Sequence, residues 1–261
     1  MRIALIQNHP LFGEVENNIN RLLTLIESVD ADLYILPELC FTGYQFVSRE
    51  EVARLAVPPD GAVIGWFRQI AKERNVSIAF GYPELSPEGS YNAAMVVTPD
   101  GRDLRYRKTH LFYREKEFFL PGDSGFGVIE WNGLRIGLAV CFDWYFPESF
   151  RTLALKGADI IAHCSNLVMP YCQQADLTRA LENRVYIATA NRVGTEDRGG
   201  EALTFTGGSV LVSPRGEYLL TLPKEEEVVM VAEIDIALAR EKKINRYNDI
   251  IADRRPEFYN G

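Results

Sequence analysis

Three residues of different chemistry, Glu38, Lys108 and Cys141, each stand at the end of an apolar run of the sequence. Glu38 directly follows LYILP. Lys108 closes LRYRK, in which Leu104, Tyr106 and Lys108 alternate on one face. Cys141 closes LRIGLAVC and precedes Phe142, Asp143, Trp144 and a helix opened by Pro147. Taken singly, each has a plain reading: a buried thiol acting as a small hydrophobe, a helix-capping or surface glutamate, a solvated lysine past the end of its strand. Taken together they form a coherent chemistry. Open α/β sheets bind ligands outside the carboxyl ends of their strands. A strand-to-helix elbow exposes the side chain at its tip and offers backbone N–H groups to an anion. A glutamate whose pKa is raised by burial can take the proton of a thiol. The lysine ammonium and the Phe142 N–H can then stabilise first a thiolate and next the oxyanion of a tetrahedral intermediate. The reaction so described is acyl transfer by a cysteine that uses no histidine.

The elements that must carry these residues are legible as alternating periods. Residues 2–7 read as a strand, and 14–29 as a helix with Val15, Ile19, Leu22, Leu23 and Ile26 on one face. A second apolar run at 33–38, an amphipathic helix at 61–75 and a strand at 76–84 follow. Hairpins then dominate, with turns at Pro99-Asp100-Gly101, Asn132-Gly133 and Pro214-Arg215-Gly216. Helices are predicted at 147–158 and 173–185, and strands at 159–164, 186–193, 209–214, 216–222 and 228–235. No linker-like tract or fixed-period repeat interrupts this order, so residues 1–261 read as a single α/β domain of mixed sheets covered by helices. The polar ending carries apolar residues that suit either a subunit contact or packing on its own domain.

Composition excludes several alternatives. The chain has 261 residues, 47% of them hydrophobic, and a formal net charge of −8, which argues against a nucleic acid as main partner. The four cysteines have no C-x-x-C spacing and the three histidines form no H-x-x-x-H pair, so reduced thiols are expected and neither a metal nor another cofactor is. The apolar run at the N-terminus is too short for a signal sequence or a membrane span, which predicts a cytoplasmic protein.

The segments LPELCFTGY, YRKTHLFYREKEFFLPGD and AVCFDWYFPESFRTLALKGAD, in this order, resemble the nitrilase or carbon–nitrogen hydrolase superfamily, and its amidase-like members in particular. YNAAMVV, HCSNLVMPY, RALENRVYIATANRVG and NDIIADRR extend the resemblance over nearly the whole chain. It implies a four-layer α-β-β-α sandwich with two mixed sheets. It also implies Glu38 as general base, Lys108 as oxyanion stabiliser and Cys141 as nucleophile. A second active-site glutamate of the family matches Glu115, with Glu117 as the neighbouring alternative and the one better suited to the surface. The family's habit of pairing implies a homodimer or higher homo-oligomer, with the tail from about 245 to 261 in the subunit contact.

The remaining candidates are weighed by position. Asp143 suits a structural role, accepting backbone hydrogen bonds at the elbow. Trp144 and Tyr145 fit a pocket wall or the core equally. Asn166 is placed to reach a polar group of the substrate, with Leu167, Val168 and Met169 as apolar wall. His110 is expected to support the lysine loop, His163 to be a core or supporting residue, and Cys40, Cys164 and Cys172 to be structural. Asn92 and Asn191 are expected to bond backbone at loop ends. The expected reaction is hydrolysis of a small aliphatic or aromatic amide through a Cys141 thioester, with release of ammonia; Glu38 protonates the leaving ammonia and activates water, and Glu115 orients the substrate nitrogen or that water. A nitrile, through a thioimidate, is the alternative. So is an N-carbamoyl amine or amino acid, although no Arg follows Asn166 until Arg179 to meet a carboxylate.

Overall fold

A computed structural model describes residues 1–259. In its first half β1 (Arg2–Gln7), α1 (Val15–Glu27), β2 (Leu33–Ile35), α2 (Arg49–Leu55), α3 (Ala62–Arg74), β3 (Ser77–Ser86), β4 (Gly89–Val97) and β5 (Asp103–Arg107) follow one another. Next come α4 (Glu115–Phe118), β6 (Val128–Trp131), β7 (Leu134–Val140), a 3₁₀ turn (Cys141–Tyr145), α5 (Pro147–Leu155), β8 (Ile160–Cys164), α6 (Cys172–Asn183) and β9 (Tyr186–Ala190). The hairpin β10 (Thr195–Arg198) and β11 (Glu201–Thr204), then β12 (Val210–Val212), β13 (Tyr218–Thr221), β14 (Val228–Glu233) and α7 (Ile236–Arg240) complete the fold.

Two six-stranded mixed sheets result, ordered β14-β1-β2-β3-β4-β5 and β13-β12-β9-β8-β7-β6. In each, three strands are parallel, β1-β2-β3 in one and β7-β8-β9 in the other, and antiparallel hairpins extend the edges. The sheets face each other through Leu5, Leu33, Ile35, Ala94 and Val96 on one side and Ile136, Leu138, Ile160 and Ala162 on the other. On the outer face of the first sheet α1 and α3 bury Leu22, Ile26, Ile64 and Phe67 against Ile6, Tyr34, Ile78 and Phe80. Helices α5 and α6 cover the second sheet. This is the expected four-layer sandwich. Central strands with cover on both sides read as unbroken apolar runs rather than alternating ones, which is why 3–6 and 160–164 are buried at every position.

Sequence periodicity missed helices α2, α4 and α7 and the β10–β11 hairpin. Helix α2 is short but capped, since Ser48 Oγ accepts the Glu51 N–H at 3.2 Å, the S-x-x-E signature of a helix start. Helix α4 is a single turn, and the β10–β11 hairpin is largely exposed, so neither has an apolar period to read. In the tail, Ile244, Tyr247, Phe258 and Tyr259 are exposed. The subunit contact expected of residues 245–261 also takes in 260 and 261, which lie outside the described residues. Among the described residues no helix is long and apolar enough to cross a membrane.

Candidate active site

Glu38 and Lys108 come from the first sheet, just past β2 and β5, and Cys141 from the second, just past β7. The Lys108 amide donates to Asn92 O at 2.8 Å, and the Gly122 amide to Lys108 O at 3.0 Å, which pins the residue after its strand. Gly81 on β3 lets the Glu38 turn lie against the sheet: a Cβ there would stand 2.4 Å from Glu38 Cα. At the third corner Cys141 adopts φ +41, a left-handed conformation unusual for a residue with a side chain.

The three side chains are buried, and one ammonium bridges two carboxylates. Lys108 Nζ donates to Glu38 Oε1 at 2.7 Å and to Glu115 Oε1 at 2.8 Å. Asn92 Nδ2 donates to Glu38 Oε1 at 2.6 Å, and Tyr44 Oη to Glu115 Oε1 at 2.7 Å. Glu115 Oε2 accepts the Phe112 N–H at 3.2 Å. Glu38 Oε2 is buried with no partner. Burial raises the pKa of Glu38, opposed by Lys108 and reinforced by Glu115. Burial works against the charge on Lys108, but Glu115 and Glu38 outweigh it and hold the ammonium protonated. Cys141 is pushed well up by burial and then by Glu38, with Lys108 opposing, so its resting form is the thiol.

Cys141 is 5% exposed, against the expectation that the elbow would expose its side chain. Its Sγ lies 3.8 Å from Asn166 O and faces a pocket with about 10 Å³ of free volume, lined by Phe112, Phe142, Trp144, Asn166, Leu167, Val168 and Met169. That is room for about one water molecule. The Asn166 side chain is buried on this wall with both its nitrogen and its oxygen unpartnered. Trp144 and Leu167 are buried wall residues as well, whereas Tyr145 is 55% exposed. Phe142 follows Cys141 in the first turn of the 3₁₀ segment, where amides have no acceptor within the turn.

Asp143 anchors the elbow. Its Oδ2 accepts the Val140 N–H and the Tyr106 hydroxyl, each at 2.8 Å, joining β7 to β5. His110, two residues past Lys108, meets Asp143 Oδ1 at 2.7 Å and stacks on Phe146, tying the lysine loop to the elbow. Asn92 bonds the carboxylate of Glu38 rather than backbone, a second correction; its partner Glu38 is too distant in sequence for spacing to reveal. Asn191 does bond backbone, accepting from the Leu167 N–H at 2.8 Å and donating to Gly207 O at 2.8 Å. Glu117 is exposed and pairs with Arg114. Cys40 packs in the core between the first sheet and its helices, away from Cys141, and Cys164 lies between the sheets.

His163, Cys172 and Asp176 bring ligand atoms within 4.8 Å of one another. The imidazole nitrogens and the carboxylate are all engaged by protein partners there.

Against this geometry, residues 2–244 match the family model of the carbon–nitrogen hydrolases. The chain belongs to that family. It is 48% identical to a nitrilase of Pyrococcus abyssi (strain GE5 / Orsay) over 99% of each chain, and 36% identical to an (R)-stereoselective amidase of Pseudomonas sp. over 98% of this chain and 92% of that one. The fold superposes with a TM-score of 0.81 on the amidase of Nesterenkonia sp. AN1, 29% identical and covered over 99% of this chain and 98% of that one. That structure is of a Glu-to-Gln mutant of the amidase and shows the result of Michael addition of acrylamide at its active-site cysteine. As a carbon–nitrogen hydrolase family member the chain carries features that sequence reasoning passed over, namely Tyr44 and Phe112. Tyr44 had a signal, since it ends the same LPELCFTGY segment as Glu38, but its partner does not. Its backbone is fixed by Glu196, which accepts the Tyr44 N–H at 3.1 Å and the Gln45 N–H at 2.6 Å and pairs with the buried Arg192.

Proposed function

We propose that this chain hydrolyses small, neutral carboxylic amides to acid and ammonia through a thioester on Cys141. Glu38 acts as general base and acid. Its Oε1 is held by Lys108 and Asn92, which leaves the unpartnered Oε2 to take the Cys141 proton. As the thiolate attacks the carbonyl carbon, Lys108 and the Phe142 N–H receive the developing oxyanion. Collapse expels ammonia with the proton carried by Glu38; water, deprotonated by Glu38, then cleaves the thioester. Glu115 holds Lys108 from the other side and orients the departing nitrogen or the water.

The observation that carries this reading is the buried Lys108 ammonium clamped between two carboxylates next to a thiol that burial keeps protonated. Preference for a neutral acyl group rests on the small pocket beside Cys141, whose lining holds no charged side chain and where the Asn166 amide nitrogen and oxygen are both unpartnered. Arg114, in the adjoining cleft with Tyr44 and Glu115, is already paired with Glu117. The resemblance to a nitrilase favours a second reading, in which a nitrile reacts through a thioimidate on the same residues. We further propose a cytoplasmic homo-oligomer with its tail in the subunit contact.

Ammonia release from matched acetamide, propionamide, benzamide and nitrile panels tests the assignment. Wild type should turn over the amides, and Glu38→Gln should lose roughly 10²–10⁴-fold in kcat. Turnover of nitriles with no ammonia from any amide would replace the amidase reading with the nitrilase one.

A further inference from the structure

We propose that Asp176, Thr189 and His163 form a buried chain that holds the Cys141 carbonyl and so aims the thiol, acting as positioning residues for the reaction proposed above. His163 Nε2 lies 2.9 Å from Cys141 O and 3.1 Å from Ser165 Oγ, and Nδ1 lies 2.9 Å from Thr189 Oγ1. Thr189 Oγ1 is in turn 2.6 Å from Asp176 Oδ2. His163 and Thr189 are register partners on β8 and β9, and Asp176 reaches them from α6. All three are fully buried.

Proton placement follows from which atoms can donate. A carbonyl oxygen only accepts, so Nε2 must carry a proton to bond Cys141 O. Burial lowers the pKa of His163 to about 4, so its ring is neutral and Nδ1 is bare. Thr189 must then give its single hydroxyl proton to Nδ1. Its oxygen is left to accept from Asp176, which must be the neutral acid. Burial raises Asp176 to about 7, in keeping with that form. The other groups facing the chain are few. Cys172 Sγ stands 3.9 Å from both Asp176 oxygens, Arg179 acts on Asp176 from a distance, and Asp143 and Lys108 act on His163.

When Asp176 gives its proton to buffer, Thr189 turns its hydroxyl to the carboxylate. The ring proton then belongs on Nδ1, donating to Thr189 Oγ1, and Ser165 donates to the bare Nε2. Cys141 O now faces a lone pair instead of a donor. This matters because Cys141 sits at φ +41, a strained conformation for a residue with a side chain that persists only where surrounding bonds hold it. Asp143 holds the preceding amide and His163 the following carbonyl.

The test is ¹⁵N NMR of the imidazoles, tractable with three histidines in the chain. The expected result is the Nε2–H tautomer of His163 at pH 6 and the Nδ1–H tautomer at pH 9, with Asp176→Asn fixed as Nε2–H throughout. The ratio of kcat at pH 9 to kcat at pH 6 should be several-fold higher in Asp176→Asn than in wild type. Thr189→Val should lower kcat about tenfold with KM unchanged. An Nδ1–H tautomer at pH 6, or equal pH ratios in the two proteins, overturns the proposal. If no amide or nitrile is turned over, the hydrolase reading fails by itself. Alkylation of Cys141 by iodoacetamide then decides: an Asp176→Asn to wild-type rate ratio that changes with pH supports the chain, and a flat ratio overturns it.

Discussion

Lys108 Nζ stands 2.7 Å from Glu38 Oε1 with both side chains fully buried. Such a pair is a poor source of stability, because desolvating two ions costs as much as their attraction returns. Here the lysine also serves Glu115, so one cation faces two carboxyl groups in a dry site. The excess of carboxylate over ammonium, added to burial, raises the pKa of Glu38 near a thiol that burial keeps protonated, as the proposed proton transfer requires.

Removing that cation leaves two buried carboxylates without compensation. Lys108→Met is therefore expected to lose about 3–5 kcal/mol of stability in urea unfolding at pH 7. The loss should shrink at pH 5, as Glu38, whose pKa burial raises, takes up a proton, and ammonia release should fall at least about 100-fold. A folded variant with wild-type turnover would show that Lys108 plays no part in the reaction.

Tyr44 donates to the Glu115 oxygen that Lys108 also uses. Tyr44→Phe keeps the ring and deletes one buried hydrogen bond to a charged group, worth roughly 1.5–3 kcal/mol. Denaturation and steady-state kinetics should show a loss of that size in stability and a fall in kcat larger than any change in KM. An unchanged kcat would confine Tyr44 to packing.

Gly81 tests whether the base is placed by backbone contact. A Cβ at this position would lie 2.4 Å from Glu38 Cα and 2.9 Å from Leu39 N, both backbone atoms that cannot swing aside. Gly81→Ala should cost about 1–3 kcal/mol in stability and lower kcat as well, since the turn bearing Glu38 must shift. Loss of stability with full activity would mean that the sheet, not the turn, moves.

The pH dependence of stability has a definite sign at Asp176. Its pKa is raised from 3.8 to about 7 in the fold, so the contribution is fully present below pH 3.8 and is lost as pH rises through about 7. Between those limits wild type should lose up to about 4 kcal/mol relative to Asp176→Asn, at 1.36 kcal/mol per pKa unit. Paired urea titrations at pH 4, 5.5 and 7 measure the difference. Parallel curves would place the proton elsewhere.

Much of this site was legible because its parts sit where apolar runs stop. LYILP before Glu38, LRYR before Lys108 and LRIGLAV before Cys141 are strands whose ends sequence alone locates, and the turns Asn132-Gly133 and Pro99-Asp100-Gly101 fix the hairpins between them. What stayed hidden depends on contacts between distant segments. Asn92 reads as a loop-end amide until β4 brings it to Glu38, and nothing near Tyr44 in sequence points to Glu115, which α4 brings to its hydroxyl. His163 sits in an apolar strand with no local sign that its ring meets Cys141 O on the neighbouring strand's end. The exposure expected of Cys141 failed for the same reason: Phe112, Leu167 and Val168, which close over it, come from other loops.

The central claim is covalent attack by Cys141, and rapid-quench intact-mass spectrometry tests it directly. Wild type mixed with a turned-over amide should show a transient mass increase equal to the acyl group, mapped by digestion to Cys141, and Cys141→Ala should show neither adduct nor ammonia. Continued ammonia release by Cys141→Ala, or an acyl group mapped to another residue, would contradict the account.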